Sequence, residues 1–364
     1  MIRTEDAVRT RVLVVDDSAV ARDLIERGLS RDPSIEVVGK AADVYAARDK
    51  IVFLKPDVVT LDVEMPRMDG IEFLKRLIPQ YPVPVIVVSA VTAEGSTKAL
   101  EALDAGAVAV VPKPSSSGGP AAFQDMLTEL ADRIKEASKV RIRGPKPAVP
   151  AYPRPKSRIE WAGGPPSRVV IALGASTGGT TALRTLIHAF PRKAPGTLVV
   201  QHMPPVFTRM FAESLDRESA VEVREARDGD AVRDGLVLIA PGDLHMRLER
   251  AGDGWKVRCQ GGLKVSGHRP SVDVLLRSVA EAAGSRAVGM VLTGMGRDGA
   301  DGLLSMRRAG AACLAQDEGT SVVFGMPREA WECGGAERLV PLETAAEVVL
   351  EHAARIIGGG GHGE

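Results

Sequence analysis

The chain has 364 residues, with 47 Lys plus Arg balanced by 47 Asp plus Glu and 45% hydrophobic residues. Zero net charge removes any general electrostatic reason to hold nucleic acid or an anionic membrane, no apolar run reaches the ~18 residues of a membrane span, and the charged stretch Met1 to Thr10 does not read as a signal peptide. The length exceeds the ~250 to 300 residues over which a single core grows, so two domains are expected in a cytoplasmic protein. Cys259, Cys313 and Cys333 are widely spaced and read as reduced core thiols.

Residues 11 to 114 alternate strand-length apolar runs with helical stretches: Val12 to Val15, Ala19 to Leu29, Val37 to Gly39, Val44 to Phe53, Val58 to Leu61, Gly70 to Ile78, Val85 to Val88, Ser96 to Leu103 and Val108 to Val111. Buried strands separated by helices predict an α/β domain with a five-stranded, doubly wound parallel sheet. Ligands in such sheets sit beyond the carboxyl ends of the strands. The polar residues fall there: Asp16 and Asp17 after the first strand, Asp62 after the third, Ser89 after the fourth and Lys113 after the fifth. Carboxylates brought together repel one another unless a cation joins them, which predicts a hard divalent ion, Mg²⁺ where phosphate chemistry follows. Lys113 adds a second positive charge for an incoming phosphoryl group.

From Lys135 to Arg168 the pattern gives way to a proline-studded, basic stretch, read as a semi-rigid extended linker. The expected limits are residues 1–135 for the first domain, 136–167 for the linker, 168–358 for the second domain and 359–364 for a frayed tail.

The second domain opens on Val169-Val170-Ile171-Ala172-Leu173-Gly174-Ala175-Ser176-Thr177-Gly178-Gly179, an apolar run that breaks into small residues before the helical stretch Thr180 to Ala189. The pattern matches the G-x-S-x-G elbow, which projects a hydroxyl over a sheet and aims backbone N–H groups at the same point. A phosphate-binding P-loop would need Lys after the last Gly, where Thr180-Thr181 stand, and the spacing does not fit G-x-G-x-x-G. A tight turn without chemistry stays open until partners are found for Ser176. Two further apolar runs, Thr197 to Gln201 and Ala287 to Leu292, lead into His202 and into Thr293-Gly294-Met295-Gly296-Arg297-Asp298-Gly299. In a doubly wound, mostly parallel sheet these ends share one edge, placing a hydroxyl, an imidazole and a carboxylate together as acyl transfer requires. Singly, a histidine such as His202 is more often a hydrogen-bonded structural residue, and Asp298 also reads as a helix N-cap for Ala300 to Ala309. His245 and His268 are further imidazoles without the spacing of a zinc site.

Two resemblances cover most of the chain. Residues 10 to 135 resemble the receiver domain of bacterial two-component response regulators, with its flavodoxin-like sheet, through Val14-Val15-Asp16-Asp17-Ser18, Leu61-Asp62-Val63-Glu64-Met65-Pro66-Arg67-Met68-Asp69-Gly70, Val88-Ser89-Ala90 and Gly106-Ala107 followed by Lys113-Pro114. The resemblance implies that Asp62 accepts a phosphoryl group from a chemotaxis histidine kinase, that Asp16, Asp17 and the Glu64 backbone carbonyl hold Mg²⁺ with it, and that Ser89 and Lys113 read the phosphate. A usually aromatic position before the lysine holds Val110, a departure from the family pattern.

Residues 168 to about 356 resemble the catalytic domain of the CheB family of chemotaxis protein-glutamate methylesterases/protein-glutamine glutaminases. Gly174 to Gly179, Gln201-His202-Met203, Ala240 to Met246, Arg269-Pro270-Ser271-Val272-Asp273 and Leu292 to Gly299 carry it. It implies hydrolysis of glutamate γ-methyl esters, and deamidation of particular glutamines, on methyl-accepting chemotaxis receptors. Ser176, His202 and Asp298 would be catalytic and the N–H groups of Thr177 and Met295 would meet the oxyanion, with no cofactor in this domain. Phosphorylation of Asp62 would relieve steric inhibition by the receiver, so a chain beginning near Arg158 is expected to outpace the unphosphorylated full chain. The protein is expected to be monomeric, without nucleic-acid binding or membrane insertion. Two alternatives stay open: a response regulator whose output domain only binds, and a triad esterase acting on a small-molecule ester.

Overall fold

A computed structural model describes residues 9–65, 70–90, 92–114, 119–139 and 167–359. Pro66 to Asp69 of the first-domain motif, the connector from 140 to 166 and the tail from 360 lie outside the described residues. The chain divides into two compact units, Met1–Ala148 and Val149–Glu364.

The first unit runs β1 (Thr10–Val15), α1 (Ala19–Leu29), β2 (Ile35–Ala41), α2 (Val44–Leu54), β3 (Val58–Leu61), α3 (Gly70–Gln80), β4 (Val85–Ala90), α4 (Ala93–Asp104), β5 (Ala109–Lys113) and α5 (Gly119–Ala137). Its five strands are parallel in the order β2-β1-β3-β4-β5. Helices cover both faces, so the central strands read as unbroken apolar runs; Val12 to Val15 and Val85 to Val88 are buried. Side-chain caps start three of the helices: Ser18 accepts from the Ala21 amide, Asp43 from Tyr45 and Ala46, and Thr92 from Gly95.

The second unit contains β6 (Val170–Ala175), α6 (Gly179–His188), β7 (Thr197–Gln201), α7 (Phe207–Glu218), β8 (Glu222–Glu225), β9 (Leu236–Ile239), β10 (His245–Ala251), β11 (Gly254–Gln260), α8 (Val272–Ala283), β12 (Ala287–Val291), α9 (Ala300–Arg308), β13 (Ala312–Gln316), α10 (Met326–Glu332), β14 (Arg338–Val340) and α11 (Leu342–Gly359). Seven parallel strands lie in the order β14-β13-β12-β6-β7-β9-β8. From β6 the chain adds β7, goes to the edge as β8 and comes back as β9 between them, then returns to place β12 on the opposite side of β6. The boundary between β12 and β6 is therefore the topological switch point, where the strand ends open a crevice.

The separate antiparallel hairpin β10–β11 was not anticipated from the letters. Its strands alternate, turning Met246, Leu248, Trp255 and Val257 inward. It grips α8 by hydrogen bonds as well as by apolar contact: the Leu248 amide donates to Ser278 Oγ at 2.9 Å, and Trp255 Nε1 donates to the Ala282 carbonyl at 3.2 Å. The helix thus anchored begins beside the switch point.

Candidate functional site

Ser176 follows the last residue of β6, and the register pairs Ala175 with Gln201, so Ser176 and His202 stand one step beyond the paired strands, side by side. Backbone bonds fix both: the His202 amide donates to the Ala175 carbonyl at 3.1 Å and the Ser176 amide to the Thr293 carbonyl at 3.0 Å. The elbow tolerates no bulk. A Cβ on Gly294 would sit 2.8 Å from Ser176 Cβ, and one on Gly179 would run into Gln201 and, at 2.7 Å, Ala175. Gly178 turns with φ +75°, in the left-handed region that favours glycine.

Asp298 lies seven residues past the end of β12, just before α9. Asp298 does not act as the N-cap of α9, a reading its position allowed. Gly299 caps that helix, and Asp298 instead serves the start of α8. Its Oδ2 accepts from His202 Nε2 at 2.8 Å and from the Val272 amide at 2.7 Å, and its Oδ1 from Ser271 Oγ at 2.7 Å and the Asp273 amide at 3.0 Å. Burial alone would raise its pKa, but the bonds from His202, Ser271 and Asp273 outweigh it and hold the carboxyl below the usual carboxylate range. In the neutral imidazole, an ionised acceptor against Nε2 fixes the hydrogen on that nitrogen and leaves the lone pair on Nδ1. Nδ1 is buried and has no hydrogen-bond partner, and Ser176 Oγ does not bond to it in this structure.

Other side chains hold the frame. Gln201 Nε2 donates to the Ser176 carbonyl at 2.9 Å, Thr293 Oγ1 to the Thr177 carbonyl at 2.9 Å, and Gln316 Oε1 accepts from the Thr293 amide at 2.8 Å. Among the described residues, the backbone N–H groups of Thr177 and Met295 donate to no protein acceptor. His245 is occupied at both nitrogens, Nε2 by the Leu263 carbonyl at 2.9 Å and Nδ1 by the Ser271 amide at 3.2 Å. His268 stacks on His202, with ring centroids 3.7 Å apart. Gln201, Gln316, Ser271 and Asp273 carried no expected role, because what they do is hold other residues.

The first unit brings three carboxylates and a lysine together at the strand ends. Ligand atoms of Asp16, Asp17 and Asp62 lie within 4.8 Å of one another, the one such group of potential metal ligands among the described residues. Asp16 and Asp62 are buried, and Lys113 Nζ bridges them at 2.8 and 2.5 Å. Burial would lower the Lys113 pKa, but the charge of Asp62 and the bonds to both carboxylates outweigh it and raise it. Asp62 Oδ1 accepts from the Glu64 amide at 2.9 Å. Three carboxylates with ligand atoms this close offer the hard oxygen donors that fit a divalent cation. The Ser89 hydroxyl turns away, donating to the Gly95 carbonyl at 3.0 Å. Val110 is buried in β5.

A family model for the CheB methylesterase matches residues 171–349 and one for the response regulator receiver domain matches residues 12–119. A protein of Syntrophotalea carbinolica named protein-glutamate methylesterase/protein-glutamine glutaminase is 52% identical over 344 residues, spanning 94% of this chain and 97% of that one. The chain belongs to the CheB family. Another member, from Caulobacter vibrioides, carries the same name and is 48% identical across 95% of this chain and 98% of its own. Among solved structures, the CheB methylesterase catalytic domain of Thermotoga maritima superimposes with a TM-score of 0.50 at 38% identity, covering 51% of this chain and 98% of that one. The receiver followed by methylesterase arrangement of the CheB family thus holds for this chain, and with it the usual Mg²⁺-dependent phosphoacceptor site in the first unit.

Proposed function

We propose that the chain is a phosphorylation-activated serine hydrolase that demethylates glutamate γ-methyl esters, and deamidates specific glutamines, on methyl-accepting chemotaxis receptors. The observation that carries this reading is the ionised, four-times hydrogen-bonded Asp298 against His202 Nε2, which leaves a bare Nδ1 one register step from the Ser176 elbow.

In the proposed cycle the Ser176 hydroxyl turns to Nδ1 as substrate binds, since catalytic hydrogen bonds often tighten only then. Oγ attacks the γ-acyl carbon while its proton passes to Nδ1, and Asp298 stabilises the imidazolium. The amides of Thr177 and Met295 meet the oxyanion. The C–O bond to methoxide breaks, the proton on Nδ1 goes to it and methanol departs. Water then attacks the acyl-enzyme, giving its proton to Nδ1, and the carboxylate and the Ser176 hydroxyl are restored. With a glutamine side chain, ammonia leaves in place of methanol. The catalytic unit works without a cofactor in this scheme.

In the receiver, Asp16, Asp17, Asp62 and the Glu64 carbonyl would hold Mg²⁺, which offsets the charge of the incoming phosphoryl group. Asp62 takes that group from a chemotaxis histidine kinase, Lys113 moves from the carboxylates to the phosphate, and Ser89 turns from Gly95 toward it. The protein works as a cytoplasmic monomer, with the linker from 136 to 167 joining receiver and esterase.

Methanol release from methylated receptor membranes, with and without a small phosphodonor, tests the reading. Release is expected to rise with the donor and to vanish in Ser176→Ala; turnover at the wild-type rate in that variant would remove the nucleophile.

A further inference from the structure

His268 lies in the loop between β11 and α8 and takes no part in the proposed acyl transfer. Its ring faces that of His202 with planes inclined by 12° and centroids 3.7 Å apart. Imidazole N–H bonds and lone pairs lie in the plane of the ring, so rings stacked this way pass no proton and form no hydrogen bond to each other. What the contact controls is the orientation of the His202 plane.

The ring is buried, and its polar contacts fix its plane at a single point. Nε2 is fixed at one point by Asp298, Nδ1 has no partner, and the sp³–sp² torsion of a histidine ring is soft. A flat surface against the ring face removes the remaining rotation. His268 is itself well placed to supply it: its amide donates to the Val265 carbonyl at 2.9 Å, and its carbonyl accepts from the Val265 amide at 3.0 Å. The next residue, Arg269, ties the loop to Asp243, with Nε 2.8 Å from Oδ1, and to the Gly262 carbonyl. Three to five residues on, Ser271, Val272 and Asp273 supply the donors that seat Asp298. One short segment, 268 to 273, therefore holds both members of the His202–Asp298 pair.

We infer that His268 is a positioning residue, the wall that keeps His202 in the plane aiming Nε2 at Asp298 and Nδ1 at the nucleophile. The inference rests on His202 being the base. A displacement of about 1 Å in a reacting group costs up to ~100-fold in rate, so loss of the wall is expected to act on kcat.

The test uses the full chain, phosphodonor and methylated receptor membranes. His268→Ala is expected to lower kcat about tenfold or more with KM within about twofold, while its urea midpoint stays at the wild-type value, which separates the effect from a loss of folded enzyme. His268→Phe keeps a flat ring without ring nitrogens and should restore most of the rate. His268→Gln, also ringless, guards against a folding defect peculiar to alanine and should repeat the loss. Wild-type kcat in the alanine and glutamine chains would overturn the inference, and so would a phenylalanine chain as slow as the alanine chain, since the nitrogens would then matter and not the face. Full activity in His202→Gln would show a different failure, that of the base assignment itself.

Discussion

Asp273 and Asp298 each bind the start of the helix that the other belongs to or precedes. Asp298 accepts the amides of Val272 and Asp273 in the first turn of α8, and Asp273 Oδ1 accepts those of Gly299 and Gly302, at 3.0 and 2.7 Å, where α9 begins. The two loops around the site are locked together by this exchange. Its cost is two buried carboxylates near each other.

Burial first, and then the charge of Asp298, push the Asp273 carboxyl above the usual carboxylate range, against the bond from Gly302. A raised folded pKa means that the folded state holds the proton more tightly, so stability is greatest below the unfolded pKa and declines as pH rises through the folded value. Asp273→Asn keeps an oxygen for the two amides and removes the charge. It is expected to unfold at higher urea than wild type at pH 7, with the gap narrowing toward pH 4. Asp273→Ala leaves the amides without an acceptor and should lose about 1 to 3 kcal/mol. Urea melts of the three chains at both pH values check this.

Asp298 has the opposite sign. Its depressed pKa adds stability that is present above the ordinary value of 3.8 and is lost as pH falls through the lower folded value. Asp298→Asn should flatten that acid loss and, by upsetting the His202 tautomer, reduce kcat by about 10⁴-fold. Acid titration of stability and turnover at pH 7 measure the two effects separately.

Lys113 Nζ pairs with both Asp16 and Asp62. Lys113→Met should cost about 2 kcal/mol, less than the ~3 to 5 of a fully buried pair because the Lys113 side chain is still 23% exposed. Mg²⁺ should then raise the melting temperature of the variant more than that of wild type. Asp62→Asn should take up no phosphoryl group and show no rise in methanol release with phosphodonor.

Gly294 is a tight point of the elbow, directly against Ser176. The Cβ of Gly294→Ala would press on Ser176 and Met326, for a stability loss of about 1 to 3 kcal/mol. If it moves Ser176 by ~1 Å, kcat should fall by up to ~100-fold. A melt and a turnover measurement decide whether strain or displacement dominates.

The letters alone set out the alternation of apolar runs and helical stretches, and with it the parallel sheets and the strand ends where Asp62, Ser176 and His202 stand, because buried parallel strands must be apolar along their whole length. They did not disclose the hairpin β10–β11, whose short alternating strands carry Arg247, Glu249, Lys256 and Arg258 on the outer face and lack a long apolar run. Nor did they decide which nitrogen of His202 meets Asp298, which helix Asp298 caps, or that His268 lies flat on the base. Those relations join residues up to 96 positions apart in the chain. They are settled by how α8 is pinned under the hairpin and how β12 returns beside β6, and packing of that kind leaves no periodic mark in a sequence.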